Sequence, residues 1–373
     1  MAGQNTTLKI FYDISFIGDG RISGIERFSL EIYHHLKNSR GMNFFCALPK
    51  GFEAINTDVE NILLPSTLKS LNHFLHVPWI LKKIAPDVAL FPAFPPAPYV
   101  ALFRGVKIFR VLHDIVYWQR PETLSENAVW YLKPLEKFWL SRYQNLFTVS
   151  NYSKNKIVEA LGFPEEKIWV VPNGVSDTFQ KMHPTRHKTE GNYLLCVGTI
   201  EPRKNFNFAV DVFDQLVKTR SDLKLFICGR KGWGYKALIN RISHSPNASK
   251  IRLFHDADDK TLADLYHGCW LFLFPSIEEG FGIPLVEAMA QGKAVIASDN
   301  SAISEVVGDA GILISEYDPA HWCKKITQLI DNKPRLKKIK QMAKDRAAQF
   351  TWPKAVDRLE DAIHNAQKQN ISY

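Results

Sequence analysis

The chain reads LFLFPSIEEGFGIPLVE over residues 271–287, and this stretch decides the fold class. Leu271 to Pro275 is a short apolar run of the kind that forms a buried strand. Gly280 and Gly282 permit tight backbone geometry, and Pro284 suits the first turn of a helix. A buried strand that leads through a glycine turn into a helix is the unit from which parallel α/β sheets are built.

The same alternation of strand-like and helix-like segments runs through both halves of the chain, which predicts parallel sheets wrapped by helices. The predicted strands are residues 8–12, 44–48, 88–91, 108–112, 145–149 and 168–171 in the first half, and 193–197, 223–228, 251–254, 271–275 and 294–297 in the second. Residues 176–192 are polar, charged and poor in periodicity, as an interdomain linker would be. We therefore predict two domains, at residues 1–178 and 190–353.

Two glutamates flank the glycine turn, Glu279 in the loop and Glu287 in the helix beyond Pro284. Unpaired N–H groups at a helix N-terminus favour phosphate or sugar oxygens, and glycine lets a ligand approach the backbone. A carboxylate accepts hydrogen bonds from two neighbouring hydroxyls, so each glutamate could hold a vicinal diol, one on a hexose and one on a ribose. Alternatively, both are solvated acids that favour the helix dipole.

A second strand-to-helix junction carries two adjacent cations. It reads GTIEPRKN over residues 198–205, follows the predicted strand 193–197 and precedes apolar residues at helical spacing. In a doubly wound fold ligands bind at the carboxyl ends of strands, where Arg203 and Lys204 would neutralise a diphosphate without a metal. An arginine and a lysine in a loop are also compatible with an ordinary solvated surface.

Together, residues 198–205 and 279–287 resemble the diphosphate loop and the paired-glutamate signature of family 4 of the retaining glycosyltransferases. The resemblance runs over most of the chain. It implies the GT-B architecture, an α/β fold in which two Rossmann-like, doubly wound domains face each other across a cleft. The first domain would bind the acceptor and the second the nucleotide sugar. A C-terminal helix at residues 354–373 would cross back to the first domain.

The resemblance also implies roles for individual residues. Arg203 and Lys204 would hold the leaving diphosphate, Glu279 would hold the sugar, and His113 would lie beside the transferred sugar. The other donor-binding residues that it implies are Gly20 and Gly24 at the donor phosphates, Gly198 in the diphosphate loop, Phe254 and His255 at the nucleobase, Phe281, Gly282 and Ile283 around the sugar, and Glu287 at the ribose. From its position after a strand alone, a structural role is the preferred interpretation for His113, and the resemblance reverses that preference.

The motifs EPRKN at residues 201–205 and GRKGW at residues 229–233 are most similar to bacterial mannosyltransferases of polysaccharide and O-antigen assembly. The predicted reaction is therefore transfer of a hexose with retention, from GDP-mannose in the first instance, with rhamnose as the alternative sugar. Three other activities stay open. They are a nucleotide-sugar epimerase of similar architecture, a non-catalytic sugar-nucleotide binding protein, and an NAD-dependent dehydrogenase, against which the imperfect glycine fingerprint at residues 18–24 argues.

No cofactor and no metal are predicted. The triplet Asp256-Ala257-Asp258 superficially matches the metal-binding triplet of the other large glycosyltransferase architecture. Asp258 and its neighbours precede an apolar segment with helical periodicity, so helix capping is the preferred interpretation. The five scattered cysteines show no metal-ligand spacing.

The net charge of +9 favours phosphate-rich substrates or an anionic membrane as partners, and no nucleic-acid-binding motif accompanies it. Basic and aromatic residues mix at residues 71–84 and 130–143, which predicts a peripheral membrane contact and a polyprenyl-linked saccharide acceptor. Ordinary amphipathic helices with snorkelling lysines are the alternative. Because residues 1–9 lack an apolar signal segment, we expect a cytoplasmic protein at the inner face of the cytoplasmic membrane.

Overall fold

The computed structural model of the chain describes residues 7–18, 23–38, 40–115, 118, 126–181, 192–255 and 257–369. The chain divides into two compact units. The first comprises Met1–Asn173 and Trp352–Tyr373, and the second comprises Gly174–Thr351.

The first unit is built on a seven-stranded parallel sheet. Its strands are β1 Leu8–Asp13, β2 Met42–Leu48, β3 Glu60–Leu63, β4 Val88–Phe91, β5 Lys107–Val111, β6 Asn145–Thr148 and β7 Ile168–Val170. They are arranged in the order β3-β2-β1-β4-β5-β6-β7. The order reverses between β1 and β4, and ligands of doubly wound sheets bind beyond the strand ends at such a reversal.

The helices of this unit connect the strands. They are α1 Gly24–His35, α2 Lys69–Leu71, α3 Val77–Ile84, α4 Glu126–Leu140 and α5 Asn151–Leu161, with a π-helical turn, Asn72–His76, between α2 and α3. Helix α1 begins with a capping box, in which Glu26 N–H donates to Ser23 Oγ at 3.3 Å and Ser23 N–H donates to the Glu26 carboxylate at 2.7 Å.

The second unit is built on a six-stranded parallel sheet. Its strands are β8 Tyr193–Val197, β9 Lys224–Cys228, β10 Ile251–Phe254, β11 Leu271–Phe274, β12 Ala294–Ser298 and β13 Ile312–Ile314, in the order β10-β9-β8-β11-β12-β13. Its helices are α6 Asp177–Lys181, α7 Phe206–Leu216, α8 Tyr235–Ser243, α9 Asp259–Gly268, α10 Ile283–Ala290, α11 Ser301–Val307, α12 Pro319–Asp331 and α13 Lys333–Ala347. Strands β8 and β11 are neighbours, which brings the two junctions singled out in the sequence to adjacent strand ends.

The predicted doubly wound α/β fold is confirmed, and each predicted strand is present with its ends displaced by at most two residues. The sequence analysis did not predict β3 or β13. Both lie at the edge of a sheet and are only partly buried, so they lack the continuous apolar run that marks a central strand.

The second unit begins before the linker predicted at residues 176–192. Residues 177–181 of that segment form α6, in which the buried Phe179 packs edge-on against Tyr266, with ring centroids 5.9 Å apart. Gln291 Nε2 donates to the Phe179 carbonyl. One buried aromatic ring therefore fixes a segment whose polar composition indicates a linker. Residues 182–191 lie outside the described residues.

The last helix, α14 Trp352–Gln369, belongs to the first unit, as the resemblance implied for residues 354–373. Trp352 is buried and packs edge-on against Phe28 of α1, with ring centroids 5.9 Å apart. Arg40 pairs with Asp357 and Asp361 of this helix at 3.0 Å each. The predicted return of the chain to its first domain is confirmed.

Candidate active site

The loop after β8 depends on two glycines that lie against each other. Gly198 has φ +151°, and a Cβ there would lie 3.3 Å from Lys204 Cε, so glycine leaves room for the lysine stem. A Cβ on Gly229, at the end of β9, would lie 1.8 Å from the Gly198 carbonyl oxygen, which no side chain can accommodate. A short 3₁₀ turn, Pro202–Lys204, then ends at Asn205 in the left-handed region (φ +54°), and α7 follows.

The two cations of this loop converge on one carboxylate. Arg203 Nη1 donates to Glu279 Oε2 at 2.9 Å, and Lys204 Nζ donates to Glu279 Oε1. Arg203 also donates through Nε to Glu201 at 2.8 Å and through Nη1 to the Glu278 carbonyl at 3.3 Å. These charge-assisted bonds fix both cations at the carboxyl ends of β8 and β11.

Two residues of this cluster are almost out of contact with water: Lys204 is 6% exposed and Glu279 is 5% exposed. Burial opposes ionisation of Glu279, but the charges of Lys204 and Arg203 outweigh it and lower the pKa of Glu279 to about 2. Burial and the neighbouring Arg203 lower the pKa of Lys204, against the attraction of Glu279. The alternative in which Glu279 is a solvated acid, and Lys204 part of a solvated surface, is therefore wrong.

The Glu279 loop is held by the helix that follows β12. Glu279 N–H donates to Ser301 Oγ at 3.1 Å, and Ala302 N–H donates to the Glu279 carbonyl at 3.3 Å. Ser301 lies in the left-handed region at φ +50°. Strain of this kind in a non-glycine residue is typical of functional sites. The sequence analysis assigned no role to Ser301, because no local pattern marks it.

The turn into α10 has the predicted geometry. Gly282 caps the helix at φ +93°, where a Cβ would lie 2.8 Å from Leu285 Cδ1, and Ile283 is the first helical residue. The Phe281 side chain is buried against Phe350, with ring centroids 5.5 Å apart, so only its backbone is available to a ligand. The turn therefore offers backbone groups rather than side chains at the start of α10.

Glu287 is also buried, at 3% exposure, so for this residue too the solvated alternative is wrong. Tyr266 OH donates to Glu287 Oε2 at 2.9 Å. Burial and the charge of Glu287 raise the pKa of Tyr266 well above its usual value. The bond between Tyr266 and Glu287 was not predicted, because it joins residues on two different helices.

The two residues predicted at the nucleobase lie next to the glycine pair. The Phe254 carbonyl accepts a hydrogen bond from Gly229 N–H at 2.9 Å. The centroid of the Phe254 ring lies 5.2 Å from that of the Phe226 ring. His255 packs edge-on against Tyr235, with ring centroids 5.1 Å apart. Both residues are partly exposed at the end of β10, beside the loop that carries Arg203.

Asp258 caps a helix, as the sequence analysis preferred. Its carboxylate accepts a hydrogen bond from Thr261 N–H at 2.7 Å at the start of α9. Asp256, the other acid of the triplet, lies outside the described residues. Metal independence stays a prediction.

In the first unit, His113 lies two residues beyond the end of β5. Its Nε2 lies 3.0 Å from the Pro92 carbonyl oxygen, and its ring packs edge-on against Phe28 of α1 at 4.8 Å. Burial and the nearby Arg110 lower the pKa of His113 to about 3, so the ring is neutral at pH 7. A carbonyl can only accept, so Nε2 carries the proton and Nδ1 is left as an acceptor.

The glycine loop of the first unit is described only in part. Gly24 is exposed and is the first residue of α1. Gly20 lies outside the described residues. The donor-phosphate role of both glycines stays a prediction.

Two family models match the chain in succession. Residues 22–179 match the family described as Glycosyltransferase Family 4, and residues 177–346 match the family described as Glycosyl transferases group 1.

Curated relatives include two O-antigen enzymes. O-antigen chain mannosyltransferase B of Escherichia coli is 28% identical over 261 residues, which cover 67% of this chain and 68% of the relative. O-antigen chain mannosyltransferase RfbU of Salmonella typhimurium is 31% identical over 225 residues, which cover 59% of this chain and 61% of the relative. The alignments thus leave about a third or more of each relative unmatched.

Solved structures show the same fold at low identity. A glycosyltransferase from Rickettsia africae superposes with a TM-score of 0.73 at 18% identity, covering 97% of this chain and 99% of the other. Anabaena Alr3699/HepE in complex with UDP and glucose superposes with a TM-score of 0.73 at 18% identity, covering 96% of this chain and 99% of the other.

The solved structures and the two parallel-sheet units define the fold as GT-B, and the family models define the class as glycosyltransferase. The chain belongs to the glycosyltransferases in which a family 4 domain is followed by a group 1 domain. The family and fold implied by the sequence resemblance are confirmed.

Proposed function

We propose that this glycosyltransferase moves mannose from GDP-mannose to a saccharide acceptor carried on a polyprenyl lipid, with retention at the anomeric carbon, in the synthesis of a cell-surface polysaccharide. The O-antigen mannosyltransferases among its relatives support the sugar and the pathway class. The cluster that the partly exposed Arg203 forms with the buried Lys204 and Glu279 supports the chemistry, and it is the observation on which the proposal rests.

Cleavage of the bond between sugar and diphosphate leaves negative charge on the diphosphate. Arg203 and Lys204 are the cations that would stabilise this charge, so the reaction would need no metal. Before the donor binds, Glu279 would hold both side chains in place, so they would need little rearrangement when the charge develops. Glu279 itself would accept hydrogen bonds from sugar hydroxyls, and Glu287 would bind the ribose.

His113 is the first unit's contribution to the proposed reaction. Its neutral ring would hydrogen-bond the transferred sugar through Nδ1, because Nε2 already donates to Pro92. A neutral imidazole adds no positive charge beside the developing positive character of the anomeric carbon. That electrostatic fit favours the sugar-binding role over the structural one.

The proposed place of action is the inner face of the cytoplasmic membrane. Among the described residues, no helix combines the length and the apolar character needed to cross a bilayer. Reaching a lipid-linked acceptor would therefore depend on a peripheral contact.

A thermal-shift screen tests the donor. We expect GDP-mannose and GDP to raise the melting temperature more than UDP, dTDP or ADP with their sugars. A larger shift with UDP-glucose would contradict the guanine donor, and dTDP-rhamnose as the best ligand would identify the rhamnosyl alternative. NAD should give no shift.

An activity assay then separates transfer from the other reactions. We expect α-mannosyl product with an added acceptor and no release of epimerised sugar without one. Activity should survive EDTA. Complete loss of activity, reversed only by added Mn²⁺, would contradict the role given to the two cations.

Binding of GDP to an arginine variant tests the diphosphate contact. Arg203→Ala keeps the pair of Lys204 with Glu279 but removes one diphosphate contact, and it also takes away the arginine that pairs with Glu201. A hydrogen bond to a charged group contributes about 1.5–3 kcal/mol, so calorimetry should show GDP affinity falling roughly 10- to 100-fold. The exposed Arg335→Ala removes the same charge elsewhere and should bind GDP normally. Equal affinity in the two variants would refute the contact.

A further inference from the structure

One face of the first unit exposes a row of large apolar side chains. Leu68, Leu71, Leu75 and Trp79 have exposed fractions of 63%, 36%, 57% and 62%. Leu71, Leu75 and Trp79 follow one another at intervals of four residues along α2, the π-helical turn and α3, so they share one side of the helical segment, and Leu68 directly precedes α2. We call these four residues the docking stripe.

The opposite side of the same segment holds it in the fold. Val77, Ile80 and Leu81 are buried in the core of the first unit. The side chain of Asn72 is buried and donates to the Ser66 carbonyl at 2.9 Å. The segment is therefore anchored by its own core face, and the docking stripe is not needed for folding.

The charged side chains of the segment that carries the docking stripe have one sign. No aspartate or glutamate occurs from residue 61 to residue 86, whereas Lys69, Lys82 and Lys83 lie in that interval and are exposed. Lys83 Nζ lies 5.3 Å from the centre of the Trp79 ring. A partner for this surface must accept apolar side chains and carry negative charge close to them.

The second stretch considered for membrane contact, residues 130–143, does not share these properties. Trp139 is 1% exposed, and its Nε1 donates to the Pro96 carbonyl at 2.7 Å. Tyr143 is buried, and its OH donates to Glu136 at 2.7 Å. For these two aromatic residues the membrane interpretation is wrong, because they belong to the core. The side chains of residues 126–132 are outside the description.

We propose that the docking stripe inserts into the headgroup region of a bilayer that contains anionic lipid. Leucine and tryptophan side chains partition into that region, and the neighbouring lysines are attracted to negatively charged headgroups. Pairing of the stripe with its counterpart in a second copy is disfavoured, since a two-fold contact would bring the lysines of both copies together. This membrane contact would bring the enzyme to its lipid-linked acceptor, so the role of the contact rests on the proposed function.

Vesicle flotation with the full chain tests the binding without donor or acceptor. We expect the protein to float with vesicles of phosphatidylcholine and phosphatidylglycerol, to bind phosphatidylcholine alone at least about tenfold more weakly, and to lose binding as salt screens the lysines. Leu75→Ser with Trp79→Ser should reduce the partition coefficient by about tenfold or more, because two apolar side chains leave the bilayer. Ile55→Ser, a change at another exposed apolar residue outside the stripe, should bind like the unchanged protein.

Three results would overturn the proposal: failure of the unchanged protein to bind anionic vesicles, equal binding to both kinds of vesicle, or unchanged binding by the Leu75 and Trp79 double variant. A concentration-dependent dimer that disappears in the double variant, without vesicle binding, would assign the stripe to a second copy instead. Two unchanged transitions in differential scanning calorimetry show that both units of the double variant are folded, and calorimetric binding of GDP to it tests the donor site separately. Because that measurement does not involve lipid, loss of vesicle binding and failure of the proposed donor chemistry are distinguishable.

Discussion

Glu279 balances the charge of Lys204, which is almost out of contact with water, and of Arg203, whose side chain is 21% exposed. Both the stability of the site and the proposed chemistry depend on the Glu279 carboxylate. Removing one partner of a buried ion pair leaves the other charge uncompensated, which costs about 3–5 kcal/mol. The lowered pKa of Glu279, about 2 against an ordinary 4.5, corresponds to a similar contribution of about 3 kcal/mol.

Glu279→Gln keeps the shape of this side chain and removes its charge. We expect transfer to fall by at least about 100-fold, because the sugar loses a charged acceptor, which is about 3 kcal/mol of transition-state stabilisation. GDP binding should be retained or strengthened, since Arg203 and Lys204 no longer share their charge with a carboxylate. Steady-state kinetics and calorimetry on the same preparation measure both. Normal turnover in this variant would refute the place of Glu279 beside the sugar.

The pH dependence of the Glu279 contribution has a fixed sign. The folded-state pKa is depressed, so the stabilisation is fully present above the ordinary pKa of 4.5 and is lost as the pH falls toward about 2. The melting temperatures of the unchanged protein and Glu279→Gln should therefore differ most above pH 5 and converge below pH 3. A constant difference over this range would show that the carboxylate is not held ionised by its neighbours.

His113 gives a second pH prediction at the scale of one residue. Its folded-state pKa is lowered from 6.5 to about 3, so its contribution to stability is fully present above pH 6.5 and is lost as the pH falls below that value. At pH 5 the loss amounts to about 2 kcal/mol. His113→Gln removes this dependence, so the difference in melting temperature from the unchanged protein should shrink between pH 7 and pH 5. Parallel curves would show that the ring is not buried in its neutral form.

Among the secondary-structure elements, the loop at residues 198–205 depends on the close approach of two strand ends. The ends of β8 and β9 meet at Gly198 and Gly229 with no room for a side chain. We expect Gly229→Ala to separate these loops and to abolish GDP binding measured by calorimetry. Gly162→Ala is the matched control, since Gly162 has φ +63° but open space around it, so the change should cost only about 1 kcal/mol and leave GDP binding intact. Binding by both variants would contradict the packing argument.

The two junctions at residues 198–205 and 279–287 could be predicted because each is local, a strand followed by a turn and a helix. The bonds between them could not. Glu279 meets Lys204 across 75 positions of sequence only because β8 and β11 are neighbours in the sheet, and local patterns do not give strand order. The solvated alternative for Glu279 survived in the sequence analysis for this reason, since its burial is decided by the partner loop.

Two tryptophans show that local sequence also fails to predict which side chains are exposed at the surface. Trp79 and Trp139 both lie in helices rich in lysine and apolar residues, yet Trp79 is 62% exposed and Trp139 is 1% exposed. Composition could identify both helices as candidates for a membrane contact. The side on which each helix packs is set by tertiary contacts that composition does not contain.

At the scale of the whole molecule, the chain builds most of its first unit, then all of the second, and returns to complete the first with α14. Each unit has its own apolar core, and α14 contributes buried residues such as Val356 and Ile363 to the first. The nucleotide contacts proposed for Arg203 and Lys204 lie in the second unit. Stability of the first unit and binding of the nucleotide are therefore separable quantities.

Ile363→Asp tests this separation. A buried, unpaired charge on α14 should unfold the first unit at a lower temperature, because a carboxylate without a partner is costly in an apolar core. The transition of the second unit should remain, and GDP at about 100 times its Kd should still raise that unit's stability by about 2.7 kcal/mol. Differential scanning calorimetry resolves the two transitions. Asn365→Asp, which adds the same charge at an exposed position of α14, should melt like the unchanged protein. If Ile363→Asp lowered both transitions together or removed the response to GDP, the nucleotide site would depend on the first unit, and Arg203 and Lys204 would not suffice to bind GDP.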